Sequence, residues 1–348
     1  MRFQCPLCRA EQGTVRETFG AYRVVACQAC GVLATWPVPS AEVLQARYNQ
    51  GYYAGPQAAR FRHGFAEAAQ RLFRRRRANA LRRRLGGAQG KRILDVGCGR
   101  GYTLAWLQRW GADVYGTQIA EAAASVARRH IGSDRVFVGQ LHEARYPAES
   151  FHAVCLWHVL EHVPDPQALL REIARILAPE GLVYIEVPNA GGWEVKRWGR
   201  HWLAYDVPNH VTHFTPETLA RAASRAGLHP VDAVHFSWEY SPVTLLQTWL
   251  NAWLGGESLL FRSLTCEAAQ EQEALRWRTA RVMVHMAVAS LLALPALAIS
   301  LWLGRRRCGN TLGMYFQKFL SPDRVMMPGH LPACHAQGSP IPVAACMR

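Results

Sequence analysis

The sequence predicts an α/β fold in which a parallel β-sheet is covered by helices on both faces. Short apolar runs of strand character alternate with helix-like segments between residues 92 and 240, and such alternation is typical of βαβ units, because parallel strands need a crossover connection. The first of these runs also ends at Asp95 and meets a glycine-rich turn at once. Of the 348 residues 50% are hydrophobic, which is ample for a substantial buried core.

The individual elements follow from the same periodicities. Apolar runs bounded by glycine or polar residues predict strands, at 92–96, 113–117, 136–138, 153–157, 182–187, 229–240 and 312–316. Helical patterns lie near 102–110, 120–130, 166–178 and 216–226. The alternation stops at 241, which predicts a large insertion before the last strand. The tail, 321–348, is rich in proline and small residues, so we expect it to be disordered.

Two CxxC pairs near the N-terminus indicate a metal site. Cys5 and Cys8 form the first pair, Cys27 and Cys30 the second, and a strand-like stretch separates them. Each pair can present two thiolates from one tight turn, and four thiolates complete the tetrahedral shell that Zn²⁺ prefers. The spacing therefore predicts a structural zinc ribbon over 1–40, with four unligated thiols as the alternative.

The net charge of the chain indicates its binding partners, and its N-terminal sequence indicates its location in the cell. The formal net charge is +15, almost all of it from arginine, which suits an anionic partner such as nucleic acid or an acidic membrane. The basic residues concentrate in a helical linker, 41–90, which is either a solvated connection or a surface for phospholipid or nucleic acid. The N-terminus lacks the apolar core of a secretory signal, so we expect a cytoplasmic protein.

The turn after the first core strand predicts a nucleotide-like ligand. Gly97, Gly99 and Gly101 permit backbone angles and a close ligand approach that side chains would block. The dinucleotide fingerprint G-x-G-x-x-G would require a third glycine at 102, where the chain has Tyr102. This mismatch weakens the interpretation as an NAD site without excluding it.

Several motifs in order resemble those of class I S-adenosylmethionine-dependent methyltransferases. The first is Ile93-Leu94-Asp95-Val96-Gly97-Cys98-Gly99-Arg100-Gly101. The others are His158–Pro166, Leu177–Gly181, Val187–Asn189 and His210–Thr215. The resemblance implies a Rossmann-like class I methyltransferase sheet. Among such enzymes the chain is similar to the zinc-ribbon methyltransferases of surface-polysaccharide pathways and, more loosely, to the ubiquinone-pathway O-methyltransferases.

The resemblance also implies where S-adenosylmethionine binds. Asp95 and the turn Gly97–Gly101 would contact the methionine end of the cofactor, with the carboxylate near its ammonium group. Gln118 stands where the family usually has an acidic residue that holds both ribose hydroxyls, and Glu121 is an alternative partner for the ribose. The residues expected to flank the adenine or the sulfonium are Gln140, Leu141 and Trp157.

Methyl transfer needs alignment of the acceptor and, for a hydroxyl, removal of a proton. The candidate bases are His158 after the fourth strand and His210 or His213 after the fifth, with structural hydrogen bonding as the alternative for each. Glu161-His162 does not predict a metal site, because adjacent helical residues point in different directions and no third ligand is evident.

The insertion contains two apolar segments that predict contact with a membrane surface. Leucine and tryptophan recur at helical intervals in 241–254, a composition suited to a bilayer interface. The second segment, 282–303, is long enough to span a bilayer. Pro295 interrupts it, arginines flank both ends and a sheet strand follows. We therefore expect a helix–break–helix hairpin that dips into one leaflet, with a buried hairpin and a true span as alternatives.

These observations predict a cytoplasmic S-adenosylmethionine-dependent methyltransferase at the inner face of the membrane. Its acceptor would be a small molecule, lipid-linked or glycan-related, methylated on a hydroxyl. The alternatives are an RNA methyltransferase that uses the ribbon and the arginines, which we consider less favoured, and a membrane-tethered scaffold without catalysis. The expected segments are the ribbon 1–40, the linker 41–90, the methyltransferase core 91–240, the insertion 241–308, the last core strand 309–320 and the tail 321–348.

Overall fold

The computed structural model describes residues 2–40, 42–44, 64–255, 258–265 and 279–318. The expected tail and part of the linker, 45–63, lie outside these residues. The strands are β1 (Gly13–Phe19), β2 (Tyr22–Cys27), β3 (Leu33–Trp36), β4 (Arg92–Val96), β5 (Asp113–Gln118), β6 (Val136–Val138), β7 (Phe151–Trp157), β8 (Leu177–Pro188), β9 (Thr212–His213), β10 (Leu228–Val234) and β11 (Thr311–Lys318). The α-helices are α1 (Gly64–Arg84), α2 (Tyr102–Arg109), α3 (Glu121–Ile131), α4 (Pro166–Ile176), α5 (Trp193–Trp198), α6 (Pro216–Ser224), α7 (Ser241–Leu254), α8 (Leu259–Leu264) and α9 (Thr279–Arg305).

A seven-stranded sheet in the order β10-β11-β8-β7-β4-β5-β6 forms the centre of the molecule. The strands β8, β7, β4, β5 and β6 are parallel, whereas β11 pairs antiparallel with both β8 and β10. The α/β class is confirmed, but the sheet is mixed rather than parallel throughout. The strand and helix alternation stops before the insertion, so the sequence pattern does not constrain the direction of β11.

The strand predicted at 229–240 is shorter in the structure, because its second half turns into α7. The Ser241 N–H donates to the Ser237 carbonyl at 2.8 Å, and the Ser237 N–H donates back to the Ser241 hydroxyl at 3.0 Å. These two hydrogen bonds use backbone groups that a strand would pair across a sheet. The chain therefore leaves the sheet after Val234 and enters the insertion.

Both faces of the central sheet are buried, as β4 illustrates. Ile93 and Leu94 are adjacent and fully buried, so their side chains point to opposite faces. Ile93 belongs to the apolar cluster that includes Leu104 and Leu107 of α2, and Leu94 to the cluster that includes Leu170 of α4. The two layers of helices thus hold the carboxyl end of β4 from both sides.

The N-terminal segment forms a second sheet that is continuous with the α/β part. β1, β2 and β3 are antiparallel, and β9, from the far side of the sequence, adds a fourth strand by pairing with β3. A guanidinium group of Arg221 also donates to the Cys30 carbonyl at 2.5 Å, and Arg9 pairs with Asp165 at 2.6 Å. The cysteine turns are therefore held directly against the central domain.

The arginine-rich helix α1 packs on the α/β part rather than standing free in solvent. Arg77 is buried and pairs with Glu186 at 3.3 Å and with Glu239 at 2.7 Å. The guanidinium of Arg75 lies over the Trp106 ring at 4.9 Å, close enough for a cation–π contact. Some arginines of this segment thus make ion pairs and cation–π contacts within the protein.

The second apolar segment of the insertion forms one continuous helix, α9, so the expected break at Pro295 is wrong. Proline removes one backbone hydrogen bond, but Ala296 immediately after it is buried in the cluster that also holds Leu245 and Trp249 of α7. Among the described helices one stretch, Arg281–Arg305, is long and apolar enough to cross a membrane, and most of it is not buried in the protein.

Candidate active site

A cavity of about 2450 Å³ lies beyond the carboxyl ends of β4, β5 and β7. Val96, Gln118 and Trp157, at the ends of these strands, contribute to its wall, which is where ligands bind in open α/β sheets. Drug-sized ligands occupy pockets of roughly 300–1,000 Å³. Because insertion residues such as Thr244 and Leu259 also line it, the cavity has room for a cofactor and an acceptor together.

The glycine turn after β4 adopts the left-handed backbone that the sequence predicts. The φ angles are 70° at Gly97, 55° at Gly99 and 74° at Gly101. A Cβ at Gly97 would lie 2.6 Å from a methyl group of Val159, so the turn needs glycine there for space as well as for conformation. Gly97 and Gly99 line the cavity.

Gly101 has a different part in the same turn. It does not belong to the cavity wall, and a Cβ on it would lie 3.0 Å from the Cβ of Ala127 and 3.1 Å from its Cα. Gly101 therefore allows α2 to begin close to α3. The direct contact with the cofactor that the sequence resemblance implies for Gly101 stays a prediction.

Asp95 is the buried carboxylate at the end of β4. It is 3% exposed and lines the cavity. Its Oδ1 finds no hydrogen-bond partner among the described residues. Burial raises its pKa from 3.8 to about 7, against the opposing effect of the Arg77 guanidinium. A buried carboxylate with an unused oxygen fits a ligand that brings a positive charge, such as the ammonium group of S-adenosylmethionine.

Gln118 lies at the end of β5 and is buried against the cavity. Its Oε1 accepts a hydrogen bond from the Ala120 N–H at 3.2 Å, which fixes the side-chain oxygen. Glu121, the alternative partner for a ribose, pairs instead with Arg128 at 2.9 Å and does not line the cavity. Of the two residues that the sequence offers as partners of a ribose, Gln118 is thus the one that lines the cavity.

The residues expected around the adenine or the sulfonium all reach the cavity. Gln140 and Leu141 lie after β6, and Trp157 ends β7. The Trp157 ring lies 4.4 Å from the Tyr184 ring, and the Arg77 guanidinium lies 4.6 Å from the Trp157 ring centroid. These contacts fix the indole, so its position is set before any ligand binds.

His158 is held by two carboxylates. Its Nδ1 lies 3.2 Å from Glu161 Oε1 and its Nε2 lies 3.1 Å from Glu186 Oε1, so both ring nitrogens donate. Burial by itself would lower the pKa of His158, but the two hydrogen bonds outweigh it and raise the pKa from 6.5 to about 10. An imidazolium has no lone pair, so His158 in this arrangement cannot accept a proton.

His210 has the opposite arrangement. Its Nδ1 lies 2.8 Å from the Ala204 carbonyl and must carry the proton to donate there, which leaves a lone pair on Nε2. Asp206 Oδ2 lies 3.8 Å from that Nε2. His210 lines the cavity. Of His158 and His210, His210 is the one whose geometry suits a general base.

A neighbouring imidazole and carboxylate accompany His210. His162 donates from Nδ1 to the Asn209 carbonyl at 3.0 Å, and burial followed by the charge of His210 lowers its pKa to about 4. One donor atom each from Glu161, His162 and His210 lies within 4.8 Å of the others. His210 thus joins Glu161-His162 from a distant segment, which the absence of a third ligand at helical spacing in the sequence does not reveal.

The ribbon sheet positions the His210 segment. The Thr35 hydroxyl of β3 donates to the His210 carbonyl at 2.6 Å, and the Thr35 N–H donates to the Val211 carbonyl at 2.9 Å. The same hydroxyl lies 3.1 Å from Nε2 of His213, which is buried outside the cavity wall. The N-terminal segment thus supports the wall of the cavity that carries His210.

The four cysteines of the ribbon converge. The Sγ atoms of Cys5 and Cys30 lie 3.5 Å apart, as do those of Cys8 and Cys27, and all four lie within 4.8 Å of one another. Hydrogen bonds to the Cys5 and Cys27 carbonyls close each turn. Four thiols at these distances fit the tetrahedral shell of a zinc ion, whose Zn–S bonds are about 2.3 Å.

Sequence reasoning missed the buried ion network under the cavity floor. Arg77, Glu186 and Tyr240 come from α1, β8 and the start of the insertion, and the Tyr240 ring lies 4.0 Å from that of His158. In the sequence Arg77 is one of four consecutive arginines, and nothing in that run marks it as the buried one. Only the packing of α1 on β8 distinguishes it.

Comparison with known proteins identifies the family of the chain. Residues 67–233 match the family described as a methyltransferase domain. The ubiquinone biosynthesis O-methyltransferase of Aeromonas salmonicida is 33% identical over 166 residues, covering 44% of this chain and 69% of that protein. The enzyme of the same name from Bordetella avium is 33% identical over 172 residues, covering 46% and 70%. A solved methyltransferase from Archaeoglobus fulgidus aligns with a TM-score of 0.43 at 18% identity, covering 70% of this chain and 94% of that one.

The chain belongs to the class I S-adenosylmethionine-dependent methyltransferases, and the resemblance seen in the sequence motifs is confirmed. It is therefore an enzyme that uses S-adenosylmethionine.

Proposed function

We propose that this enzyme transfers the methyl group of S-adenosylmethionine to a hydroxyl oxygen of a lipid-linked or glycan-related small molecule, at the cytoplasmic face of a membrane. The observation that carries the proposal is a single cavity whose wall includes the Asp95 turn, His210 and residues of the apolar insertion. The relatives named above methylate oxygen according to their names, which supports a hydroxyl acceptor.

The residues at the glycine turn would hold the cofactor. Asp95 would receive the ammonium group, Gly97 and Gly99 would allow the methionine end to approach the backbone, and Gln118 would meet the ribose. Gln140, Leu141 and Trp157 would border the adenine and the sulfonium. When bound, the cofactor supplies an activated methyl group on a sulfonium that leaves as a neutral thioether.

His210 would remove the acceptor proton. As the acceptor oxygen forms its bond to the methyl carbon, the hydroxyl proton would pass to Nε2 of His210, while Ala204 holds the opposite ring nitrogen. His158, whose two N–H groups are both engaged by Glu161 and Glu186, would contribute a fixed positive charge to the cavity wall rather than accept the proton. Proximity and the exclusion of water would supply most of the remaining acceleration.

We further propose that Cys5, Cys8, Cys27 and Cys30 bind a structural Zn²⁺. The convergence of their four Sγ atoms within 4.8 Å supports this role. Elemental analysis of the purified protein is expected to find one zinc per chain, and a variant carrying Cys27→Ser and Cys30→Ser is expected to lose it. A wild-type protein purified without chelators that holds no metal would contradict the proposal.

The function is tested by methyl transfer from labelled S-adenosylmethionine to fractionated lipids, glycans and RNA of the source cell. We expect label in a lipid or glycan fraction, with the His210→Ala variant as the inactive control. Label in RNA would instead support the alternative in which the arginines hold nucleic acid. The stacking of Arg75 on Trp106 and the burial of Arg77 weigh against that alternative, because these groups are already engaged.

A further inference from the structure

The outer side of α9 is an exposed apolar surface, which we call the α9 face. It is formed by Met283, Val284, Leu291, Leu294 and Trp302. Leu291 is 78% exposed and Leu294 76% exposed. Scattered apolar residues are normal on a protein surface, but a continuous set along a helix marks an interaction site.

The opposite side of α9 is packed on the protein from His285 to Leu303. His285, Ala289, Ala296, Ser300 and Leu303 are buried and follow one another at intervals that place them on one side of the helix. Ala289 shares an apolar cluster with α7 and α8, and Ala296 shares another with α7. The helix is therefore fixed along the surface, and it would have to leave all these contacts to cross a membrane.

The end of α9 is tied to the central sheet as well. A Cβ at Gly304 would lie 2.8 Å from the Cβ of Phe236, and one at Gly309 would lie 1.9 Å from the His235 carbonyl oxygen. Shortly after Gly309 the chain enters β11, which pairs with β8. The α9 face therefore points outward, whereas the inner side of α9 contacts the rest of the insertion and the residues that follow β10.

Charge indicates what covers the α9 face. Exposed arginines stand at both ends, Arg281 at the start and Arg305, Arg306 and Arg307 at the end, and the helix 279–305 contains no acidic residue. Two copies that paired through this face, in either direction, would bring arginines beside arginines. An anionic lipid surface accepts apolar side chains between its headgroups and attracts the arginines at the same time.

We propose that α9 lies in the plane of an anionic bilayer leaflet, with the α9 face among the acyl chains and the terminal arginines at the lipid phosphates. This rests on the proposed function in one respect: the cavity is lined by Val243, Leu259 and Arg281 of the insertion, so docking would bring a membrane-resident acceptor to the same opening. The docking itself does not depend on methyl transfer.

Flotation of the full-length protein with preformed vesicles tests the proposal. We expect binding to vesicles of phosphatidylcholine with phosphatidylglycerol and much weaker binding to phosphatidylcholine alone. The double variant Leu291→Glu with Leu294→Glu is expected to bind at least about 100-fold more weakly. Leu72→Glu, at a 51% exposed leucine on α1, is the matched control and is expected to bind like wild type.

A second variant tests the role of charge. Arg305→Gln with Arg306→Gln is expected to weaken binding to the anionic vesicles by about fivefold per arginine and to leave the binding to neutral vesicles unchanged. Thermal unfolding and calorimetric binding of S-adenosylmethionine are followed for every variant. If the protein binds the cofactor but not the vesicles, the docking proposal fails and the proposed cofactor binding stands. The two proposals can therefore fail independently.

Three results would overturn the proposal. The first is a wild type that does not float with either vesicle. The second is a Leu291→Glu, Leu294→Glu variant that floats as well as wild type. The third is a wild-type dimer, measured by light scattering, that becomes a monomer in this variant, since the α9 face would then join two copies of the chain.

Discussion

The proposed cofactor end and the proposed acceptor end of the cavity are built from the chain in opposite ways. At the cofactor end Asp95, Gly97 and Gly99 come from one strand and the turn that follows it. At the acceptor end His210 is fixed by Thr35 of the ribbon and faces a wall to which the insertion contributes. A local turn can be recognised in any sequence, whereas the acceptor end exists only once distant segments have packed.

Because the two ends come from different segments, we expect a substitution at one end to leave the function of the other end unchanged. A change at the glycine turn should weaken cofactor binding and leave the ribbon and insertion intact. A change in the ribbon or at His210 should impair the transfer step while the cofactor still binds. Measuring kcat and the S-adenosylmethionine Kd on the same variants therefore tests whether the two ends are independent.

The largest effect is expected at His210. His210→Ala should lower kcat by about 10²–10⁴-fold, the usual contribution of a positioned general base, and leave the S-adenosylmethionine Kd unchanged. His158→Gln should lower kcat less, because a pKa of about 10 keeps His158 protonated over the assay range and leaves it no lone pair to accept a proton. A larger loss of kcat in His158→Gln than in His210→Ala would assign the base to His158.

The next largest effect is expected at the glycine turn. Gly97→Ala combines a φ of 70° with a Cβ placed 2.6 Å from Val159, and strain of about 1–3 kcal/mol should raise the cofactor Kd by about 10- to 100-fold. Gly90→Ala is the matched control, since Gly90 has a φ of 68° and no atom within 4 Å of its Cβ position. An equal change of Kd in both variants would show that the effect is general strain.

The titration of Asp95 should make cofactor binding depend on pH. Burial raises its pKa to about 7 in the free protein, and a bound ammonium would favour the carboxylate. Binding therefore releases a proton below pH 7, so affinity should rise by up to about tenfold per pH unit between pH 5.5 and 7. Calorimetry in buffers of different ionisation heat measures the proton released. Asp95→Asn should bind more weakly and show no such slope.

The smallest effect is expected where the ribbon meets the acceptor end. Thr35→Val removes the hydroxyl that donates to the His210 carbonyl at 2.6 Å, so a loss of about 1–1.5 kcal/mol should lower kcat by about five- to tenfold. Thr35→Ser keeps the hydroxyl and should restore the rate. A change in the S-adenosylmethionine Kd rather than in kcat would contradict the independence of the two ends.

The sequence by itself determined the α/β class, the glycine turn and the four cysteines that converge. These features depend on residues close together in the chain, where periodicity, φ requirements and CxxC spacing leave few alternatives. The direction of β11, the unbroken α9 and the pairing of β9 with β3 depended on contacts between distant segments. Local propensity does not encode those contacts, because they arise from burial in the complete fold.

The same division holds within the site. Asp95 and Gln118 were predicted because they stand at positions of the family's motifs. The difference between His158 and His210 is visible only in the tertiary structure, which gives His158 two carboxylate partners and places a carbonyl at Nδ1 of His210. A histidine's proton affinity depends on the groups that packing brings to it, and those groups lie far from it in the sequence.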